Sequence, residues 1–212
     1  MITYNRLTEA LQTQVIMDKE AKLKEKKKLI IEALKRCLER NVYSNITVQE
    51  VADEAGFSKG GLLHYFQSKE DMYLELIRDL FEEITGDHEK MVAGNLEAVE
   101  QASLTALLSI EKFFLDRRTT KIFLNLMLYA FEDEKIMKQL RDFLHKHVEF
   151  YTSLIEKSRE GVQLRRKTDL DPETSARIAQ IVVLGAGIFE SVDATDLDHT
   201  KLVRYVLSML KG

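Results

Sequence analysis

The chain has 212 residues, 45% apolar and 31% charged, with one proline, nine glycines and one cysteine. Such proportions suit a water-soluble protein with few helix breakers, large enough for a small module on a larger helical body, and point to an all-α fold. Cys37 stands alone, which excludes an intramolecular disulfide and a cysteine zinc cluster and fits a reducing cytoplasm, while the net charge of −4 argues against nucleic acid only until it is divided along the chain.

Residues 1–69 hold 12 Lys and Arg against 9 Asp and Glu, a net of +3, and residues 70–212 hold 19 against 26, a net of −7. A basic module on an acidic body suits DNA contact at the N-terminal end. Met1 to Lys28 has no apolar core of signal-peptide length, and no segment is expected to approach the roughly 20 apolar residues of a membrane span. The expected location is therefore the cytoplasm, with no membrane partner.

Residues 1–22 read as an N-terminal extension, either a frayed extra helix or an arm, with a weak amphipathic pattern (Leu7, Leu11, Val15). From Leu23, apolar residues at Leu29, Ile30, Ala33, Leu34, Cys37 and Leu38 largely follow helical spacing and predict a first helix ending near Asn41. Its lysines, Lys22, Lys24, Lys26, Lys27 and Lys28, read either as a solvated helix start or as phosphate contacts. Thr47 with Glu50 is a capping box that starts a second helix running to about Ala55, and Gly56 ends it. Ser58 caps a third helix to about Phe66, and Ser68 caps a long fourth helix from Lys69. Further helices are predicted near Leu96–Leu115, Thr119–Phe131, Asp133–Glu160, Pro172–Val192 and His199–Leu210; Asp171 before Pro172 marks a strong start, because proline's fixed φ suits the first helical position.

The segment Thr47 to Phe66 has the spacing of a helix-turn-helix. Ala52 is small where two helices cross, Gly56 tolerates a positive φ at the turn, and Val51, Ala55, Phe57, Leu62 and Tyr65 supply apolar inner faces. Ser58 to Tyr65, read as eight helical residues, spans about 12 Å, the width of the B-DNA major groove. Gly60 and Gly61 reflect either a tolerant first turn or close approach of backbone to DNA.

The run TVQEVADEAGFSKGGLLHYFQSKED, Thr47 to Asp71, resembles the signature of TetR-family transcriptional repressors, through Gly56, Ser58, Lys59, Gly60, Tyr65, Phe66, Lys69 and Glu70. The resemblance covers roughly a quarter of the chain. It implies a three-helix DNA-binding domain at 23–68 and a helical ligand-binding and dimerisation domain at 69–212. It further implies that Thr47 holds a phosphate, that Ser58, Lys59 and Gly60 open the recognition helix, and that Leu63 and His64 project onward from it. Tyr65 would donate to a phosphate and Lys69 would anchor the adjacent backbone. Leu63 departs from the tyrosine common in relatives and would offer apolar contact to a thymine methyl. Tyr65 and Phe66 also read as core residues.

For a ligand pocket, the aromatic and methionine residues beyond Lys69 with nearby polar handles are Phe81, Phe113, Phe114, Phe123, Met127, Phe131, Phe143, His147, Phe150 and Tyr151. Such a lining would suit an apolar or aromatic ligand, although each residue also reads as plain core. A wide apolar surface on the Pro172 helix (Ile178, Ile181, Val182, Leu184, Gly185, Ile188, Phe189) and on the last helix (Leu202, Val203, Val206, Leu207, Leu210) implies, by the resemblance, a four-helix dimer interface, with simple burial inside one subunit as the other reading. His145 and His147 lie two apart and share no helix face, so a helical metal pair is not expected; no cofactor and no catalytic constellation is expected either. The expected function is a homodimeric repressor that leaves operator DNA when a small-molecule effector binds. A ligand-independent regulator or activator, and more distantly a helical enzyme or ligand carrier, are the alternatives.

Overall fold

The computed structural model describes residues 2–92, 116–160, 170–193, 198, 200–202 and the single positions 100, 101, 104, 107, 204, 205 and 208. The described helices are α1 (Ile2–Arg40), α2 (Val48–Ala55), α3 (Lys59–Leu63), α4 (Lys69–Val92), α5 (Arg117–Ala130), α6 (Glu134–Glu160) and α7 (Pro172–Val192), with a 3₁₀ turn at Tyr43–Asn45 and no strand among the described residues. The fold is all-α. Two compact units are formed, Met1–Leu76 and Ile77–Gly212. The first two turns of α4 thus belong with the first unit, where Met72, Tyr73 and Leu76 are fully buried, although the sequence suggested a boundary before Lys69.

In the first unit α1 is continuous from Ile2, which corrects the expected break between an extension and a helix starting at Leu23. No glycine or proline interrupts residues 1–40, and the Ala, Leu, Lys, Glu and Gln that dominate this stretch all favour helix. From Gln14 onward its buried face starts at Ile30 and continues through Ile31, Ala33, Leu34, Cys37 and Leu38, whereas Leu23 and Leu29 are exposed. This face packs on α2 through Val51 and Ala52, and α2 packs on α3. Burial pushes the Cys37 thiol up, which leaves it a poor nucleophile.

In the second unit, acidic side chains start the helices. Asp116 accepts from the Arg118 amide, Asp133 from Lys135 and Ile136, and Asp171 from Thr174 with Pro172 at the first turn. Ile122, Phe123 and Leu126 of α5, Ile136, Leu140 and Leu154 of α6, and Ala176, Ala179 and Val183 of α7 form one core. The α7 helix is long and apolar enough by length and composition to cross a membrane, which corrects the expectation that no segment comes near this. The cause is visible in its burial: Ser175, Ala176, Ala179, Val183 and Gly187 pack inside, while Ile181, Phe189 and Val192 on another face stand exposed. Apolar residues on both faces make the whole helix hydrophobic. Most of the predicted 96–115 helix lies outside the described residues; of the last helix, residues 200–202 are helical and follow the Asp198 carboxylate, which accepts from the Thr200 and Lys201 amides.

Candidate nucleic-acid interface and ligand cavity

Thr47 and Glu50 form a reciprocal cap. The Glu50 amide donates to Thr47 Oγ1 at 3.2 Å, and the Thr47 amide donates to Glu50 Oε2 at 2.8 Å. The Thr47 hydroxyl also donates to Glu50 Oε2 at 3.1 Å, so a phosphate here would compete with the Glu50 carboxylate. At the turn, Gly56 has φ 74° and ψ 30°, a left-handed conformation that glycine adopts without steric cost, and its amide caps the Ala52 and Asp53 carbonyls.

Ser58 caps α3 by accepting from the Gly61 amide at 3.0 Å. The helix has five residues, Lys59–Leu63, rather than the eight expected, because His64 and Tyr65 turn out of it. Its inner side is Leu62, fully buried, followed by Phe66, 4% exposed. Lys59, Gly60, Leu63 and His64 are all on the outside. A Cβ on Gly61 would sit 3.1 Å from the Ser58 hydroxyl, whereas one on Gly60 would meet nothing within 4 Å. Internal packing thus accounts for the second glycine and not for the first. Tyr65 is half-buried, its ring set edge-on to Phe57 at 5.6 Å and to His64 at 5.5 Å.

Lys69 faces inward. Its Nζ donates to the Tyr43 carbonyl at 2.6 Å and lies 3.8 Å from the centre of the Tyr43 ring, so it ties the 3₁₀ turn to the start of α4. Burial holds this ammonium below the usual lysine range, with Glu70 and Glu50 acting in the opposite direction. A role as an outward phosphate anchor would require that bond to be shared or broken.

The second unit contains a half-open cavity of about 790 Å³, within the size range of small-molecule sites. Ile77, Phe81, Phe143, His147 and Phe150 give it apolar and aromatic walls, and Arg78, Glu82, Asp142, Lys146 and Glu149 add charges of both signs. Phe81 and Phe143 are stacked with ring centres 3.4 Å apart. His147 stacks beyond Phe143 at 5.5 Å, and its Nδ1 is 3.4 Å from the Gln180 amide nitrogen. Gln139 Oε1 is buried at this cavity without a hydrogen-bond partner among the described residues.

Of the pocket residues expected from the sequence, Phe143, His147 and Phe150 line this cavity, together with Phe81. Tyr151 is buried behind it, edge-on to His147 at 4.8 Å. Phe123 is buried in α5 and Met127 half-buried, neither at the cavity. Phe131 is a correction: it follows the last residue of α5 in a turn and is 78% exposed. Phe113 and Phe114 lie outside the described residues, as do Val203, Val206 and Leu210 of the expected dimer surface. On the remainder of that surface, Ile178, Val182, Gly185, Ile188 and Leu202 are half-buried, and Ile181 and Phe189 are exposed.

Residues 30–76 match the family model for bacterial regulatory proteins of the tetR family. Over 63 residues the chain is 38% identical to the HTH-type transcriptional repressor KstR2 of Rhodococcus jostii, a stretch that makes up 30% of each chain. The chain carries a TetR-family helix-turn-helix domain. The match thus spans about a third of that relative's length. Beyond it, likeness to solved structures concerns the fold: a TetR transcription regulator from Haloarcula marismortui superposes with a TM-score of 0.72 at 18% identity, over 88% of this chain and 97% of the other. The transcriptional regulator FadR from Bacillus subtilis, solved in complex with stearoyl-CoA, gives 0.71 at 17% identity, over 87% and 97%. These matches are regulators and not enzymes.

Two features of this TetR-type domain and one of the second unit were not read from the sequence. Arg36 Nε and Arg40 Nη2 bind the two oxygens of Glu54 at 2.6 and 2.5 Å, clamping the end of α2 to α1. The hydrogen bonds from Arg36 and then Arg40 hold the Glu54 carboxyl below the ordinary glutamate value. Lys69 turns out to be a structural clamp. In the second unit, Gln139 lies one α6 turn before Phe143, and the spacing Gln139, Phe143, Lys146, Phe150 on one helix face was the available signal.

Proposed function

We propose that this protein is a homodimeric transcriptional repressor of the cytoplasm, binding operator DNA through α3 and released by a small, largely apolar ligand taken into the cavity of the second unit. The observation that carries the DNA reading is the division of α3: Leu62 and Phe66 pack inward, and Lys59, Gly60, Leu63 and His64 form an outward edge. Lys59 and His64 supply donors for base edges or phosphates, Leu63 apolar contact, and Tyr65 a hydroxyl beside them. Thr47 and Lys69 complete the proposed phosphate contacts at the starts of α2 and α4.

The dimer reading rests on α7. Its exposed Ile181 and Phe189 share a face with Gly185, where a Cβ would meet nothing within 4 Å, so a second helix can approach closely. A two-fold dimer would present two α3 helices to half-sites about one helical turn apart. The ligand reading rests on the aromatic cavity and on Gln139 Oε1, a buried acceptor whose desolvation a ligand N–H or O–H would offset. FadR holding stearoyl-CoA illustrates a ligand with a long apolar part on this fold. Release requires that the ligand bind the DNA-incompetent conformation more tightly than the competent one.

The test is selection of binding sequences from a randomised duplex pool, followed by fluorescence anisotropy on the enriched duplex. The expected result is an inverted repeat bound far more tightly than random duplex, with affinity falling steeply as salt rises. Enrichment of no sequence, or binding insensitive to salt, would refute the reading.

A further inference from the structure

From Gln14 to Leu29 the α1 helix buries nothing: every residue is exposed except Lys27, which is half-buried, and the next residue, Ile30, is the first core residue after Gln14. At 1.5 Å per residue this is roughly 24 Å of helix standing clear of the packed domain. Its exposed surface mixes charged residues with Val15, Ile16, Met17, Leu23 and Leu29, and burial in the domain core does not support it. Its lysines are spread around the helix, Lys24 and Lys28 lying on the side opposite Lys22. With 100° per residue, Lys19, Lys22 and Lys26 share one face, and Lys26 Nζ sits 5.9 Å from the Phe57 ring, immediately before the recognition helix. Lys27 Nζ lies 5.2 Å from the ring of Phe66, just after it. Asp18 and Glu25 flank that face, but Asp18 accepts a hydrogen bond from Gln14 at 3.0 Å and neither forms an ion pair with Lys19 or Lys22 among the described residues.

We infer that this overhanging part of α1 is a second DNA-contacting element, in which Lys19, Lys22 and Lys26 neutralise phosphates flanking the segment read by α3. This rests on the DNA-binding reading above. The complementary charge is that of a nucleic-acid backbone, and the same face holds both the lysines and the ring that precedes α3. Contacts of this kind add affinity irrespective of sequence and lengthen the site.

The experiment compares two equal charge removals on one helix. Lys22→Gln with Lys26→Gln empties the proposed face, and Lys24→Gln with Lys28→Gln empties the opposite one. Each full-length variant is titrated against a mixed-sequence duplex of about 40 base pairs across a salt series. For the first pair, the slope of log K against log salt should become shallower by about 1.8 per engaged subunit, with at least a tenfold loss of affinity at low salt, since each phosphate contact contributes about 0.9. The second pair should change the slope by much less. Equal losses in both pairs, or no change in the first, overturn the inference while leaving the DNA reading intact. Salt-independent binding by the unsubstituted protein would overturn both. Sedimentation of the unsubstituted protein with phosphatidylserine vesicles, abolished in the Lys22/Lys26 pair whose DNA slope is unchanged, would assign the face to a membrane instead.

Discussion

Gly60 and Gly61 are neighbours in the first turn of α3, and substituting each by alanine should separate folding from DNA binding. At Gly60 a methyl group meets nothing within 4 Å inside the protein. Alanine exceeds glycine in helix propensity by about 1 kcal/mol in a helix interior; in a first turn about half of that is expected, so Gly60→Ala should stabilise the fold by about 0.5 kcal/mol. If the backbone here lies against DNA, the same methyl group occupies the contact, and operator affinity should fall at least tenfold, about 1.4 kcal/mol. Gly61→Ala is the comparator. Its methyl group would crowd Ser58 Oγ at 3.1 Å and disturb the cap, destabilising by up to about 1 kcal/mol. Urea unfolding gives the two stabilities, and anisotropy on the selected duplex gives the two affinities. A Gly60→Ala protein that is more stable and binds DNA unchanged would refute close approach. One that is less stable would refute the reading of the helix.

At Gly56 the left-handed φ is the only constraint, since a Cβ there meets nothing within 4 Å. Gly56→Ala should therefore cost about 1 kcal/mol and Gly56→Asn less, measured as urea midpoints at constant slope. Glu54 provides the pH dependence: its folded carboxyl is held below the ordinary 4.5 by Arg36 and then Arg40, so its contribution is present above that value and is lost as pH falls through the lower folded value. The stability gap between the unsubstituted protein and Glu54→Gln should accordingly be widest near neutrality and close on acidification; a gap that is constant with pH would contradict the clamp. Phe189→Asp places a charge on the exposed face of α7 and should shift sedimentation from dimer to monomer and weaken operator binding, with the monomer fold kept by circular dichroism.

The helix starts were legible in the sequence because they are local. Thr47 with Glu50, Ser58 with Gly61, Ser68 with Asp71 and Asp171 with Thr174 are all hydrogen bonds across three residues, and a short-range bond leaves its signature in adjacent letters. The buried face of α1 from Ile30 to Leu38 and the inward Leu62 were legible for a related reason, since helical spacing fixes which side chains share a face. Periodicity does not state what covers that face, so the tertiary structure alone decided that Leu23 and Leu29 are exposed, that Ile181 and Phe189 lie on an open side of α7, and that Phe131 points to solvent. The same holds for distant pairs. Lys69 with the Tyr43 carbonyl, Arg36 and Arg40 with Glu54, and Phe81 stacked on Phe143 join residues on different elements. Their partnership is set by how helices cross rather than by spacing along the chain, because a contact between elements is determined by packing of the whole unit.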